Sequence, residues 1–143
     1  MVKSYTDLEQ SKMLAQILPR TSADLYWGRD LDDDRWYIKV GPYSNLKFMA
    51  FGPDPDTLAI PAWSLAELFD ALPKTIYQYS KNMGYFDNSY YCEYLNEDGE
   101  NVGFRTTADN LLDTVFKMII LLKEKGLLCP TKNINPNISK YGT

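Results

Sequence analysis

Histidine is absent from the chain, and cysteine occurs only as Cys92 and Cys129 in 143 residues. The first absence removes the side chain that most often carries protons near neutral pH and most often ligates transition metals. It also makes every Ser-His or Cys-His nucleophile pair impossible. There is no G-x-S-x-G, no Walker-type phosphate loop and no G-x-G-x-x-G dinucleotide fingerprint, so no cofactor is implied. The longest apolar run, Met118 to Leu122, is five residues, against the roughly 20 that a membrane-spanning helix needs. The amino terminus lacks the apolar stretch of about 7–15 residues that marks a secretory leader. A cytoplasmic chain without a membrane partner is therefore expected, and in a reducing compartment two isolated cysteines read as small buried hydrophobes instead of a disulfide.

Charge is also scarce in one sense. Fifteen basic against nineteen acidic residues give a net charge of −4, and no Lys/Arg cluster offers the phosphate neutralisation on which nucleic-acid affinity rests. Nucleic acid is thus disfavoured as a partner. What the chain does have is an ordinary apolar share of 45% and enough length to bury roughly 68–70% of its unfolded surface as one domain. A single domain over residues 1–129 is expected. Residues 130–143 hold Asn133, Asn135, Pro136 and Asn137 with few hydrophobes, which predicts a flexible tail.

Periodicity divides the rest. Thr6 with Glu9 three residues on reads as a capping box, opening a helix through Leu8, Leu14, Ile17 and Leu18 that Pro19 stops. Asp24–Gly28 predicts a short strand. In the next strand Trp36, Ile38 and Val40 alternate with Tyr37 and Lys39, and Arg29–Asp34 lies between the two as a solvated loop. Leu46–Phe51 predicts a third strand before the Gly52, Pro53 and Pro55 loop. Ser64 and Glu67 form a second capping box for a helix over Leu65–Leu72, ended by Pro73. Thr75–Ser80 reads as a strand with Tyr77 and Tyr79 on one side, and Lys81–Ser89 as a polar loop. Tyr90–Leu95 and Glu100–Arg105 flank Asn96-Glu97-Asp98-Gly99, a hairpin signal. Thr106 or Thr107 is expected to cap a long helix whose stripe runs Leu111, Val115, Met118, Ile119, Leu122, widened by Leu112, Phe116 and Ile120. Gly126 suits its C-terminal left-handed position. The sum is an α+β fold in the order α-βββ-α-βββ-α, built of antiparallel sheet, with the long C-terminal helix packed on it.

Candidate sites are few. Asp30-x-Asp32-x-Asp34 begins like a calcium loop, but Arg35 stands where glycine is required and Gly41 where a bidentate Glu belongs, so a solvated turn is the reading. Nineteen acids allow many carboxylate pairs, and none is singled out. Eleven tyrosines and three tryptophans are the most unusual positive feature, because these rings join apolar area to a polar handle and are enriched at binding surfaces. Alternation sends some strand tyrosines to the face away from the helices, which makes Tyr37, Tyr77, Tyr79 and Tyr91 the candidate partner-binding residues.

Three stretches carry a resemblance: Tyr5-Thr6-Asp7-Leu8-Glu9-Gln10-Ser11-Lys12, Pro61-Ala62-Trp63-Ser64-Leu65-Ala66-Glu67-Leu68, and Asp109-Asn110-Leu111-Leu112-Asp113 continuing through Met118-Ile119 to Leu127-Leu128. Together they resemble a family of short uncharacterised proteins from prophage and mobile-element regions of gut anaerobic bacteria, over most of residues 5–128. That family has no known activity, so the resemblance implies a genomic context and no site residues. The expectation is a non-enzymatic protein-interaction accessory protein whose partner is another protein. The alternatives are a small-ligand binder or carboxylate-based enzyme, and a self-assembling structural component, so homo-oligomers remain open.

Overall fold

The structure is a computed structural model that describes residues 3–41, 58–99, 102–128 and 133–134, with residues 102, 133 and 134 described as backbone only. The expected strand Leu46–Phe51 and Cys129 lie outside the described residues, as does most of the tail. The fold is α+β, and the chain divides into two compact units, Ser4–Glu67 and Leu68–Thr143 together with Met1–Lys3.

In the first unit, helix α1 (Leu8–Leu14) precedes a three-stranded antiparallel sheet of β1 (Leu25–Asp30), β2 (Arg35–Val40) and β3 (Ala59–Ala62), in the order β2-β1-β3. The capping box of α1 sits one residue later than predicted. Asp7 accepts from Gln10 N at 2.8 Å, and Gln10 Oε1 accepts from Asp7 N at 3.1 Å. Thr6 is unavailable because it is fully buried as a polar node. Its Oγ1 accepts from Trp63 N at 3.1 Å and bonds Ser11 Oγ at 2.7 Å, while its backbone N–H donates to Trp63 O at 2.9 Å. Trp63 is itself fully buried, and its indole donates to Ser22 Oγ at 2.9 Å. With Leu14, Leu18, Ala23, Ala59, Ile60 and Ala62 it forms the core of this unit.

The hairpin β1–β2 pairs Leu25 with Val40 through to Asp30 with Arg35, so the strands reach further into the acidic loop than the sequence suggested. The predicted second capping box is present: Ser64 Oγ accepts from Glu67 N at 3.2 Å and Glu67 Oε1 accepts from Ser64 N at 2.9 Å. It opens helix α2 (Leu65–Ala71), which carries the chain into the second unit.

The second unit holds β4 (Thr75–Ile76), β5 (Tyr79–Phe86), β6 (Ser89–Leu95), β7 (Val102–Ala108), helix α3 (Leu111–Glu124) and β8 (Asn133–Ile134), with sheet order β7-β6-β5-β4-β8. All pairs are antiparallel except β4 with β8. The long helix α3 packs on β6 and β7, burying Leu112, Val115, Met118, Ile119 and Leu122 against a sheet face that includes Cys92 and Tyr94. Burial pushes the Cys92 thiol up to about 12 and raises the Tyr94 phenol, whose hydroxyl donates to Pro73 O at 2.6 Å.

Three local expectations are corrected here. Lys81–Ser89 is not a loop but most of a β-hairpin. The hydrophobic alternation fails at Lys81 because its aliphatic stem lies inward while Nζ donates to Phe69 O at 2.6 Å and Leu72 O at 3.2 Å, satisfying carbonyls at the end of α2. The expected strand Thr75–Ser80 is broken into β4 and β5 at Tyr77, which has φ of 57°. Finally, Thr106 and Thr107 lie in β7 and do not cap α3. Asn110 does so, accepting from Asp113 N at 2.9 Å, while Thr106 Oγ1 donates to Thr114 O at 2.7 Å. At the other end, Gly126 (φ 70°) closes the helix with Leu127 N to Leu122 O at 2.9 Å and Gly126 N to Lys123 O at 3.1 Å, the two bonds of a Schellman motif.

Candidate functional site

The hairpin β5–β6 turns on only two residues, Asp87 and Asn88, with φ of 53° and 65°. Positive φ at both central positions is the type I′ geometry whose twist matches paired strands, and Asp and Asn tolerate it better than most side chains. The pairing therefore holds to the last residues, Phe86 against Ser89 and Tyr85 against Tyr90. Successive strand residues project to opposite faces, so the tip presents a ring on each side. Tyr85 is 58% exposed and Phe86 is 62% exposed. Tyr85 meets Tyr90 edge-on with centroids 4.7 Å apart, a contact worth about 0.5–1.5 kcal/mol beyond its area. The result is an ordered apolar projection.

Back from the tip, Tyr91 lies across Gly84 of the neighbouring strand: a Cβ there would meet the Tyr91 hydroxyl at 2.7 Å. The Arg105 guanidinium stands 5.1 Å from the Tyr91 ring centre, and Arg105 Nε approaches Glu93 Oε1 at 3.6 Å. Glu93 is buried, and Asn82 Nδ2 lies 3.4 Å from its other oxygen. Tyr79 packs on Gly103 in the same manner, a Cβ there meeting its ring at 3.3 Å. Two of the four predicted tyrosines, Tyr79 and Tyr91, are thus half-buried covers for glycines. Tyr77 is exposed on the turn between β4 and β5. Tyr37 belongs to the first unit, where it is exposed and donates to Asp33 Oδ2 at 2.5 Å; that bond to a carboxylate is the main cause of its raised pKa.

The residues that sequence reasoning missed are Tyr85 and Phe86, because they fell in the stretch assigned to a loop. A signal existed in Asp87-Asn88, two left-handed-tolerant residues flanked by Tyr85-Phe86 and Ser89-Tyr90.

The acids of the β1–β2 turn are engaged locally: Asp30 accepts from Asp32 N at 2.8 Å, Asp33 from Arg35 N at 3.1 Å, and Asp34 from Arg29 Nε at 2.7 Å. Glu67, whose pKa is raised chiefly by burial, accepts backbone N–H groups at both oxygens, from Ser64 and Asp24. Among the described residues no group of three potential metal ligands converges, and no helix is long and apolar enough to cross a membrane. Comparison with family models, with curated proteins and with solved structures finds no match to this chain.

Proposed function

We propose that the chain is a non-enzymatic accessory protein of a phage or mobile element, acting in the cytoplasm by binding another protein through the tip of the β5–β6 hairpin. The observation that carries this reading is the exposure of Tyr85 and Phe86, one on each face of a hairpin tip whose turn has fixed geometry. Large aromatics are over-represented among residues that dominate interface energy, and a preordered hairpin loses little conformational entropy when it docks. The genomic context comes from the family resemblance in α1, α2 and α3, and the aromatic tip supplies the mode.

The test is capture of partners from the native host with the tagged protein, compared with a Tyr85→Ser/Phe86→Ser variant and followed by mass spectrometry. One reproducible partner lost with the variant supports the reading. Truncating two central anchors should weaken binding by about 30-fold or more, the equivalent of at least about 2 kcal/mol. Equal capture by both proteins refutes the tip as the contact.

A further inference from the structure

The other end of the sheet order carries a separate inference, independent of the hairpin tip. A two-residue hairpin makes the pair next to its turn, Phe86 and Ser89, a mutually hydrogen-bonded pair. Alternation along β6 then directs the backbone groups of Tyr91 and Glu93 toward β5, and those of Tyr90, Cys92 and Tyr94 toward β7. The pairs Cys92–Thr106 and Tyr94–Phe104 therefore exchange the bonds between β6 and β7. Arg105 and Thr107 are left with N–H and C=O pointing away from the sheet. Among the described residues β7 is an edge, and such a row is a template for an added strand.

Two features blunt this edge. Lys117, on the exposed side of α3, donates from Nζ to Thr107 O at 2.9 Å, occupying one of the outward acceptors. The register slips between Tyr94–Phe104 and Leu95–Val102, which leaves Gly103 as an extra residue in β7; a bulge of this kind interrupts a ladder. We infer that Lys117 closes the β7 edge, and that the strand it keeps out is β7 of a second copy of this chain. An antiparallel, two-fold pairing centred on Thr106 sets Arg105 of each copy opposite Thr107 of the other. The same register places no like charges directly opposite one another, and each Arg105 has Asp109 of the other copy, one residue past the end of β7, on one diagonal and Arg105 of the other copy on the other. It requires the Arg105 N–H of one copy to reach the Thr107 carbonyl of the other, the position that the Lys117 ammonium holds.

Lys117→Met and Lys117→Ala remove the donor and keep a good helix former at an exposed site, while Lys117→Arg retains a donor. Light scattering across a wide concentration range, together with residue-resolved amide exchange by NMR, reads the outcome. Expected are a monomeric wild type and Arg variant, with fast exchange at Arg105 and Thr107. The Met and Ala variants should approach twice the monomer mass as concentration rises, with exchange at those two amides slowed. Met and Ala variants that stay monomeric overturn the inference, and so does association that leaves the two amides exchanging fast. A wild type or Arg variant that already pairs through them overturns it equally.

Discussion

Replacing Gly84 by alanine sets two effects of opposite sign against each other, and the geometry decides between them. An interior strand glycine costs roughly 0.5–1 kcal/mol relative to alanine through its unfolded-state freedom, and Gly84 has no positive φ that would forbid a side chain. On backbone grounds alone the change stabilises. The new Cβ, however, would stand 2.7 Å from the Tyr91 hydroxyl, 2.9 Å from Cζ and 3.2 Å from Cε2. A rigid phenol can escape only by swinging as a whole about χ1, away from Gly84 and from the Arg105 guanidinium that faces it. Overpacking of this kind costs about 1–3 kcal/mol, so the net expectation is destabilisation by about 1–2 kcal/mol. In a Tyr91→Ala background the obstacle is gone and the same substitution should stabilise by about 0.5–1 kcal/mol. Urea unfolding of the four proteins gives the coupling directly, expected at about 2 kcal/mol between neighbours in contact. Gly84→Ala stabilising to the same extent in both backgrounds would refute the packing of Tyr91 across β5.

Thr6→Val keeps the shape of the buried node but strips the acceptor from Trp63 N–H and the partner from Ser11. It should cost about 1–3 kcal/mol in chemical denaturation, with Thr6→Ser near wild type. Asn110→Ala removes the cap of α3 and should cost about 0.5–2 kcal/mol, whereas Thr107→Ala, exposed in β7, should change stability by less than about 0.5 kcal/mol in thermal melts. For Cys92, whose folded pKa lies near 12, the unfolded thiol ionises at lower pH than the folded one. The unfolded state then binds fewer protons between the two values, so stability is full below the unfolded pKa and falls as pH rises toward 12, by up to about 1.4 kcal/mol per pH unit. Comparing wild type with Cys92→Ala from pH 8 to 11 should show that extra slope in wild type alone. Parallel slopes would count against a buried thiol.

The elements legible in the sequence were those whose signals are local. Ser64 and Glu67 cap α2 because both partners sit within one turn, and Gly126 closes α3 because its conformation needs no distant contact. The cap of α1 was displaced by one residue because Thr6, an equally good cap by type, is held by Trp63, 57 positions away. Threonines also misled at α3: Thr106 and Thr107 are β-branched and continue a strand, and Asn110 supplies the cap three positions on from Thr107. Strand β5 was hidden for a different reason. Its inward Lys81 satisfies carbonyls on α2, a tertiary role that reads as polarity in the sequence.

The tyrosine excess shows the same division more sharply. A strand tyrosine becomes structural where another part of the chain supplies a glycine or a carbonyl for it to pack on or bond to. Tyr91 covers Gly84, Tyr79 covers Gly103, and Tyr94 is buried with its hydroxyl on Pro73 O. Tyr5 meets Trp27 edge-on at 5.9 Å, and Tyr37 is tied to Asp33. None of these pairings follows from tyrosine content, since each depends on what the opposed strand or turn presents. Tyr85 and Phe86 stay exposed because the strand stops there: Tyr85 has the Tyr90 ring beside it, but the turn that orders the tip also ends the pairing and leaves both rings largely in water. The same two residues, Asp87 and Asn88, fix the phase of hydrogen bonding across the sheet and so determine that Thr107, and not Thr106, turns its carbonyl outward to Lys117.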